Sequence, residues 1–191
     1  MMNKILVALT LSVSVAACGG SSSQAPATSS TTAAASAAPA AAAGPKAADF
    51  TLTDSEGQQV ALHDLLVKGP VILAFFPKAF TGGCTKEMTG YTERTAKVQA
   101  KGAQIVAVSI DDPATLKKFK ESLGANFAFL SDPQGKVASQ YGGLMDNGMA
   151  KRATFVIAQD GTIGHTDQGT DSINPDPAVE ACPNAGAAKK I

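Results

Sequence analysis

The sequence predicts an α/β fold, with a central mixed sheet flanked by helices, from three observations. Uninterrupted apolar runs at residues 71–76 and 105–110 are typical of strands that are buried on both faces. A helical apolar pattern over residues 83–101 lies between them, which predicts a βαβ unit with two parallel strands. Nearer the end of the chain, Asp160-Gly161 separates two short apolar segments, and this pattern predicts an antiparallel hairpin.

The other predicted elements complete the order along the chain. The predicted strands cover residues 50–53, 60–62, 71–76, 105–110, 154–158 and 162–165. The predicted helices cover residues 83–101, 113–123, 133–141 and 175–183. Asp112 and Gly124 delimit the second helix as its N-cap and its C-terminal stop, and Pro113 fits its first turn. A parallel βαβ unit followed by an antiparallel hairpin and a last helix is the arrangement of the thioredoxin fold.

The N-terminus is predicted to direct export. Within residues 1–17, a short basic start precedes an apolar stretch that is too short to span a bilayer, as in a signal peptide. Val15-Ala16-Ala17-Cys18 resembles a bacterial lipobox, which would make Cys18 the lipidated N-terminus; ordinary cleavage with an incidental Cys18 is the alternative. The lipobox implies a periplasm-facing protein of the bacterial cell envelope. Gly19, where inner-membrane lipoproteins carry aspartate, favours the outer membrane if the source is Gram-negative.

Composition predicts a tether followed by one domain. Residues 18–46 are rich in Ser, Ala and Pro, are almost uncharged and have no periodic apolar face, so we expect them to be disordered. Residues 47–191 have the size of one domain. The chain has 16 acidic and 16 basic residues and no basic cluster before Lys189-Lys190, which argues against nucleic-acid binding. Three cysteines are too few for a disulfide scaffold or a zinc ribbon, and we expect no metal or other cofactor.

The most informative motif is P-x-x-x-T-x-x-C-x-x-E, formed by Pro77, Thr81, Cys84 and Glu87. Pro77 ends the preceding buried strand because it has no N–H to donate, and a helix can begin from Gly82 onward. Cys84 then lies in the first helical turn. Unpaired backbone N–H groups and the positive end of the helix dipole stabilise a thiolate there. For a cysteine without this context, an inert buried side chain is the alternative.

This motif resembles the active-site signature of the peroxiredoxins. Arg152-Ala153-Thr154-Phe155 resembles the R-x-T-F stretch that supplies the active-site arginine of that family. Further stretches resemble family landmarks in family order, so the resemblance covers about residues 48–166. Within the family, the chain is most similar to the bacterioferritin-comigratory or Q-type group.

The resemblance implies a thiol-dependent peroxidase that reduces hydrogen peroxide and organic hydroperoxides. The Cys84 thiolate would attack a peroxide oxygen and become a sulfenic acid. Arg152 would stabilise the thiolate and donate hydrogen bonds to the peroxide; a surface arginine at a strand start is the alternative. The hydroxyl of Thr81 would hold the peroxide against the sulfur, or it would simply cap the helix.

Three further roles are implied around Cys84. Pro77 would shield the sulfur from water, or would only end the strand. Glu87, one helical turn after Cys84, would orient an arginine, or would be a solvated acid in the first turn. Phe76 and Phe80 would form walls of the pocket, although ordinary core packing would also explain them.

The route by which the sulfenic acid is reduced stays open. Q-type enzymes often carry a resolving cysteine five positions after the first, and Thr89 stands there in this chain. If Cys18 is lipidated, Cys182 is the other thiol of the mature chain, and its surroundings faintly resemble the resolving segment of two-cysteine members. Resolution by Cys182 and a one-cysteine mechanism are therefore both possible. The implied reductant is a thioredoxin-like protein or a low-molecular-weight thiol.

The competing class is an envelope-tethered thioredoxin-like protein that exchanges disulfides or binds a ligand without peroxidase activity. A disulfide reductase would need C-x-x-C, but Glu87 stands three residues after Cys84. A copper-delivery protein would need a second cysteine four residues on, where Met88 stands, and a ligand histidine. His63 and His165 have no metal-like spacing.

Overall fold

A seven-stranded mixed sheet forms the centre of the computed structural model, which describes residues 44–187. The strands are β1 (Thr51–Asp54), β2 (Gln59–Ala61), β3 (Val71–Phe75), β4 (Gln104–Ser109), β5 (Ala128–Ser131), β6 (Ala153–Ile157) and β7 (Ile163–Gln168). The helices are α1 (Leu62–Lys68), α2 (Gly82–Ala100), α3 (Pro113–Leu123), α4 (Lys136–Gln140) and α5 (Asp176–Ala181), with a 3₁₀ turn at Asp171–Ile173. Strand order across the sheet is β2-β1-β5-β4-β3-β6-β7. This arrangement confirms the predicted α/β fold with a mixed sheet between helices.

The centre of the sheet sets the position of the reactive residues. Strands β3 and β4 are parallel and are joined through α2, which confirms the predicted βαβ unit. On its other side, β3 pairs with β6 in antiparallel register, with Phe75 opposite Ala153. The C-terminal end of β3 therefore lies beside the N-terminal end of β6.

Successive residues of β3 contribute to two different hydrophobic clusters, one on each face of the sheet. Ile72 and Ala74 pack in the cluster that covers the inner faces of α2, α3 and α5. Leu73 and Phe75 pack in the cluster formed with α1 and α4. All five residues of the strand are fully buried, as the apolar run predicts.

Two short elements were not predicted. Helix α1 covers seven residues and begins at Leu62, which the sequence pattern placed in a strand; only Leu62 and Leu65 bury their side chains, so its apolar periodicity is too short to recognise. Strand β5 has only four residues and is stabilised by pairing with β4 on one side and β1 on the other. Other element ends differ from prediction mostly by one to three residues.

The predicted signal peptide (residues 1–17), Cys18 and most of the predicted tether lie outside the described residues. The last three tether positions are described, and they contact the hairpin of β6 and β7. Ile163 donates a hydrogen bond from its backbone N–H to Pro45 O at 2.9 Å, and Lys46 Nζ donates to Asp160 O at 2.8 Å. Ordered contacts therefore begin before residue 47. No helix within residues 44–187 has the length and apolar character to cross a membrane.

Candidate active site

The cysteine and the arginine of the predicted site are brought together by the pairing of β3 with β6. Cys84 follows β3 by nine positions, and Arg152 directly precedes β6. Although the two residues lie 68 positions apart in sequence, Arg152 Nη2 donates a hydrogen bond to Cys84 Sγ over 3.1 Å. The alternative reading of Arg152 as a surface arginine does not hold, because only 13% of its side chain is exposed.

Cys84 is the third residue of α2 and is fully buried. Thr81 is the N-cap residue, with an extended backbone, and its carbonyl accepts the hydrogen bond from Thr85 N at 2.8 Å. The sulfur thus lies at the positive end of a 19-residue helix and beside a guanidinium. Both features stabilise negative charge on sulfur.

Glu87 holds the other arm of the same guanidinium. Arg152 Nη1 donates a hydrogen bond to Glu87 Oε2, while Nη2 faces Cys84. Glu87 is fully buried, so it is not a solvated acid. Burial raises the pKa of the Glu87 carboxyl to about 8, although the charge of Arg152 acts to lower it. The other carboxylate oxygen, Oε1, has no hydrogen-bond partner among the described residues.

The Thr81 side chain does not take the alternative role of capping α2. It makes no capping hydrogen bond to α2; its hydroxyl instead donates to Lys78 O at 3.0 Å. That bond uses the hydroxyl proton and leaves the lone pairs of Oγ1 free to accept a hydrogen bond from a ligand. The residue is exposed at the mouth of the turn that precedes Cys84.

Pro77 lines an open groove of about 740 Å³ that also reaches Arg152. The groove is bordered mainly by residues on loops that sequence reasoning did not single out, among them Met145, Gly169 and Ile173. No local motif marks these residues, because they come from three segments that only the fold brings together. Pro77 thus contributes to an accessible surface beside the arginine as well as ending the strand.

The two phenylalanines of the segment do not border this groove. Phe76 is fully buried and packs against Phe119 and Phe129 in the cluster that also contains Cys84, which is the core packing that the sequence offered as the alternative. Phe80 is 56% exposed, and its ring meets the edge of Phe119 at a centroid distance of 5.0 Å.

Cys182 is not brought near Cys84. It follows α5 and is buried against the far end of α2, where Lys101 Nζ donates to Cys182 O at 2.7 Å. With a rise of about 1.5 Å per residue, the axis of α2 separates Cys84 from Lys101 by about 25 Å. Burial raises the pKa of the Cys182 thiol. Both cysteines of the described chain are free thiols.

The part of the chain that the structure describes contains no cluster of three or more His, Cys, Asp or Glu side chains suited to a metal ion. The two histidines instead pair with single carboxylates. His63 lies 3.0 Å from Asp49, and His165 lies 2.9 Å from Asp167.

A fully buried cysteine at a helix start, hydrogen-bonded to an arginine that directly precedes a neighbouring strand of a thioredoxin-type sheet, is the arrangement of a thiol-based redox site. The model of the AhpC/TSA family matches residues 43–166. The chain therefore belongs to the AhpC/TSA family, as a peroxiredoxin.

The similarity extends to individual relatives. The chain is 35% identical over 127 residues to a putative peroxiredoxin bcp of Coxiella burnetii, covering 63% of this chain and 83% of that protein. It is 34% identical over 131 residues to peroxiredoxin Bcp of Escherichia coli, covering 64% and 83%. Among solved structures, the peroxidoxin BcpB of Mycobacterium tuberculosis superimposes with a TM-score of 0.68 at 34% identity, covering 73% of this chain and 94% of that one. These similarities support a thiol-dependent peroxidase.

Proposed function

We propose that Cys84 is the nucleophile of a thiol-dependent peroxidase that reduces hydrogen peroxide and organic hydroperoxides. The observation that carries this proposal is the 3.1 Å hydrogen bond from Arg152 Nη2 to Cys84 Sγ at the start of α2. The thiolate attacks the terminal oxygen of R–O–O–H, the S–O bond forms as the O–O bond breaks, and the products are Cys84 sulfenic acid and RO⁻, which takes a proton from solvent. Both electrons come from sulfur.

Arg152 contributes most where negative charge moves from sulfur to the departing oxygen. Its guanidinium already faces the sulfur, and donors that strengthen as charge develops lower the barrier. Glu87 holds the guanidinium from the buried side, so its orientation needs little reorganisation during the reaction. Thr81 Oγ1 can accept from the peroxide O–H, and Pro77 restricts water on the groove side.

Organic hydroperoxides fit the surroundings of the arginine. The groove that Arg152 shares with Pro77 is bordered by Met145 and Ile173, which offer apolar contacts to an alkyl group. A solved relative from Xanthomonas campestris, a bacterioferritin comigratory protein, is described by its alkyl peroxide reduction activity; at 21% identity it supports the fold of this chain.

The sulfenic acid is then reduced by an external thiol, either a thioredoxin-like protein or a low-molecular-weight thiol. The position of Cys182 supports this one-cysteine route, because the sulfur is buried at the opposite end of α2 from Cys84. A disulfide needs Cα atoms within about 7 Å, so an intrachain bond would require α5 to leave its place.

The enzyme acts in the bacterial cell envelope, tethered by a lipid on Cys18 and facing the periplasm, on the outer membrane in a Gram-negative source. The match of residues 15–18 to a lipobox and the low-complexity stretch behind it support this placement. No nucleic-acid partner and no cofactor are part of the proposal.

The decisive experiment measures the second-order rate of Cys84 oxidation by hydrogen peroxide in the purified domain. Cys84→Ser should abolish peroxide consumption, while the matched variant Cys182→Ser should retain it. A wild-type rate no greater than that of free cysteine at the same thiolate fraction would overturn the assignment.

A further inference from the structure

The turn between β3 and α2 carries backbone strain. Phe80 has a φ of 61°, and it is the only non-glycine residue with positive φ in the described part of the chain. A side chain of this size is rarely held in the left-handed region unless its surroundings impose it. Phe80 is 56% exposed and its ring contacts only Phe119 among the described aromatic residues, so full burial of the side chain does not impose this conformation.

The start of α2 is also weakly specified by its own residues. Gly82 and Gly83 occupy its first two positions, and glycine has a low helix propensity. The location of Cys84, one residue further, therefore depends on the contacts that fix the chain just before the helix. Ala79 makes such contacts.

Asp111 anchors Ala79 from the loop after β4. Its Oδ2 accepts a hydrogen bond from Ala79 N at 2.7 Å and another from Ser109 Oγ at 3.0 Å. The bond to Ala79 links this turn to a residue 32 positions away. The Ala79 side chain is 5% exposed and packs in the cluster around α2 and α3.

Asp111 is itself held by hydrogen bonds to one residue of β4 and one residue of β5. Its backbone N–H donates to Ser109 Oγ at 3.1 Å, and its carbonyl accepts from Ser131 Oγ at 2.7 Å. Ser109 and Ser131 are buried and face each other in the pairing of β4 with β5. The carboxylate is therefore held by the rigid centre of the fold and not by the turn that it restrains.

We propose that Asp111 is a positioning residue for the peroxide reaction: by holding Ala79 N, it maintains the strained turn at Phe80 and so sets Cys84 against Arg152. This inference rests on the proposed peroxidase function. Asp111 acts through the backbone of residues 79–81, whereas Arg152 contacts the sulfur itself. The start of α2 is thus fixed at two points, by Asp111 before the helix and by Arg152 beside it.

The test compares Asp111→Ala, Asp111→Asn and Asp112→Ala in the folded domain. Asp112 is the matched control because it is the neighbouring carboxylate, caps α3 through Thr115 N, and makes no contact with the turn among the described hydrogen bonds. Loss of a hydrogen bond to a charged acceptor predicts an oxidation rate of Cys84 lowered about tenfold or more in Asp111→Ala. Asp111→Asn keeps a carbonyl acceptor and should lie between this variant and wild type, while Asp112→Ala should keep the wild-type rate.

Amide hydrogen exchange of Ala79 provides a second measurement, because a general loss of stability would not accelerate exchange at this one amide alone. It should accelerate in Asp111→Ala, less in Asp111→Asn, and not in Asp112→Ala once global unfolding is matched. If Asp111→Ala fails to fold, the Asp111→Asn variant decides the question. The inference would be overturned if Asp111→Asn kept the wild-type rates of Cys84 oxidation and Ala79 exchange. It would also be overturned if Asp112→Ala changed both rates as much as the Asp111 variants do. Slow oxidation of the wild type would instead overturn the proposed peroxidase function.

Discussion

The guanidinium of Arg152 lies against Gly83, at the position that a side chain would occupy in any other residue. A Cβ atom at Gly83 would lie 3.2 Å from Arg152 Nη2, the nitrogen that donates to Cys84 Sγ. The neighbouring Gly82 has open space at the same position, with no atom within 4 Å. The two glycines of the helix start therefore differ in what they allow, although the sequence shows them as a simple pair.

Gly83→Ala should slow the reaction of Cys84 with hydrogen peroxide. The added methyl group displaces the guanidinium by a few tenths of an ångström, and Glu87 resists that shift from the other side. We expect a rate lowered roughly tenfold, as for partial loss of one oriented donor. Gly82→Ala should keep the rate and stabilise α2 by about 0.5–1 kcal/mol. Stopped-flow oxidation and urea unfolding of both variants test the pair; equal rates would contradict the proposed contact.

Arg152→Ala should lower the oxidation rate by about 100-fold, because a donor directed at the developing charge is lost. Arg152→Lys should fall between this variant and wild type, since an ammonium cannot donate to Cys84 and Glu87 through one planar fork. Arg94→Ala is the control, because Arg94 lies further along α2 and pairs with Asp176 of α5. A wild-type oxidation rate in Arg152→Ala would remove Arg152 from the site.

Glu87 should make the protein less stable as pH rises through the neutral range. Its folded pKa of about 8 lies above its ordinary value of 4.5, because burial disfavours the carboxylate. Below about pH 4.5 the group is protonated in both states, and between 4.5 and 8 only the folded protein retains the proton. The free energy of unfolding contributed by this group therefore declines across that window. Glu87→Gln should flatten the decline, as measured by urea unfolding at pH 5, 6.5 and 8; parallel curves would contradict it.

Cys182 should remain a free thiol after Cys84 is oxidised. One equivalent of hydrogen peroxide, followed by thiol trapping and mass spectrometry, should yield Cys84 sulfenic or sulfinic acid beside alkylatable Cys182. Unfolding before trapping is required, since the Cys182 thiol is buried. Cys182→Ala should keep turnover with an external thiol. A Cys84–Cys182 disulfide, within a chain or between two, would establish the two-cysteine mechanism instead.

Cys18→Ser should release the protein from the membrane fraction into the soluble part of the envelope, because the thiol that accepts the lipid is lost. Metabolic labelling with a fatty acid should mark the wild type and the control variant Cys182→Ser, but not Cys18→Ser. Membrane association that survives Cys18→Ser would count against the anchor.

The fold was predictable because its main signals are local. A fully buried strand reads as an apolar run, and the inward face of α2 repeats with helical period, so β3, α2 and β4 needed no tertiary information. Helix α1 and strand β5 were missed because each is stabilised by neighbours and is too short to show a period.

For the candidate site, the sequence supplied residue types and spacing, but geometry required the sheet. Arg152 could be matched only by resemblance, because its distance from Cys84 depends on the register of β3 against β6. The contact of Glu87 with Arg152 depends on the same pairing, because Arg152 directly precedes β6. The role of Asp111 could not be assigned from the sequence, since its bond to Ala79 spans 32 positions.

The register of β3 with β6 also separates the position of the arginine from the shape of the groove beside it. Arg152 is held one position before a strand that is paired on both sides, by β3 and by β7. The turn at residues 145–149 carries Met145 along the groove, closes on itself through the hydrogen bond from Met145 N to Met149 O, and lies outside that pairing. Exchanges within this turn should therefore change the border of the groove while Arg152 stays fixed beside the sulfur by the sheet.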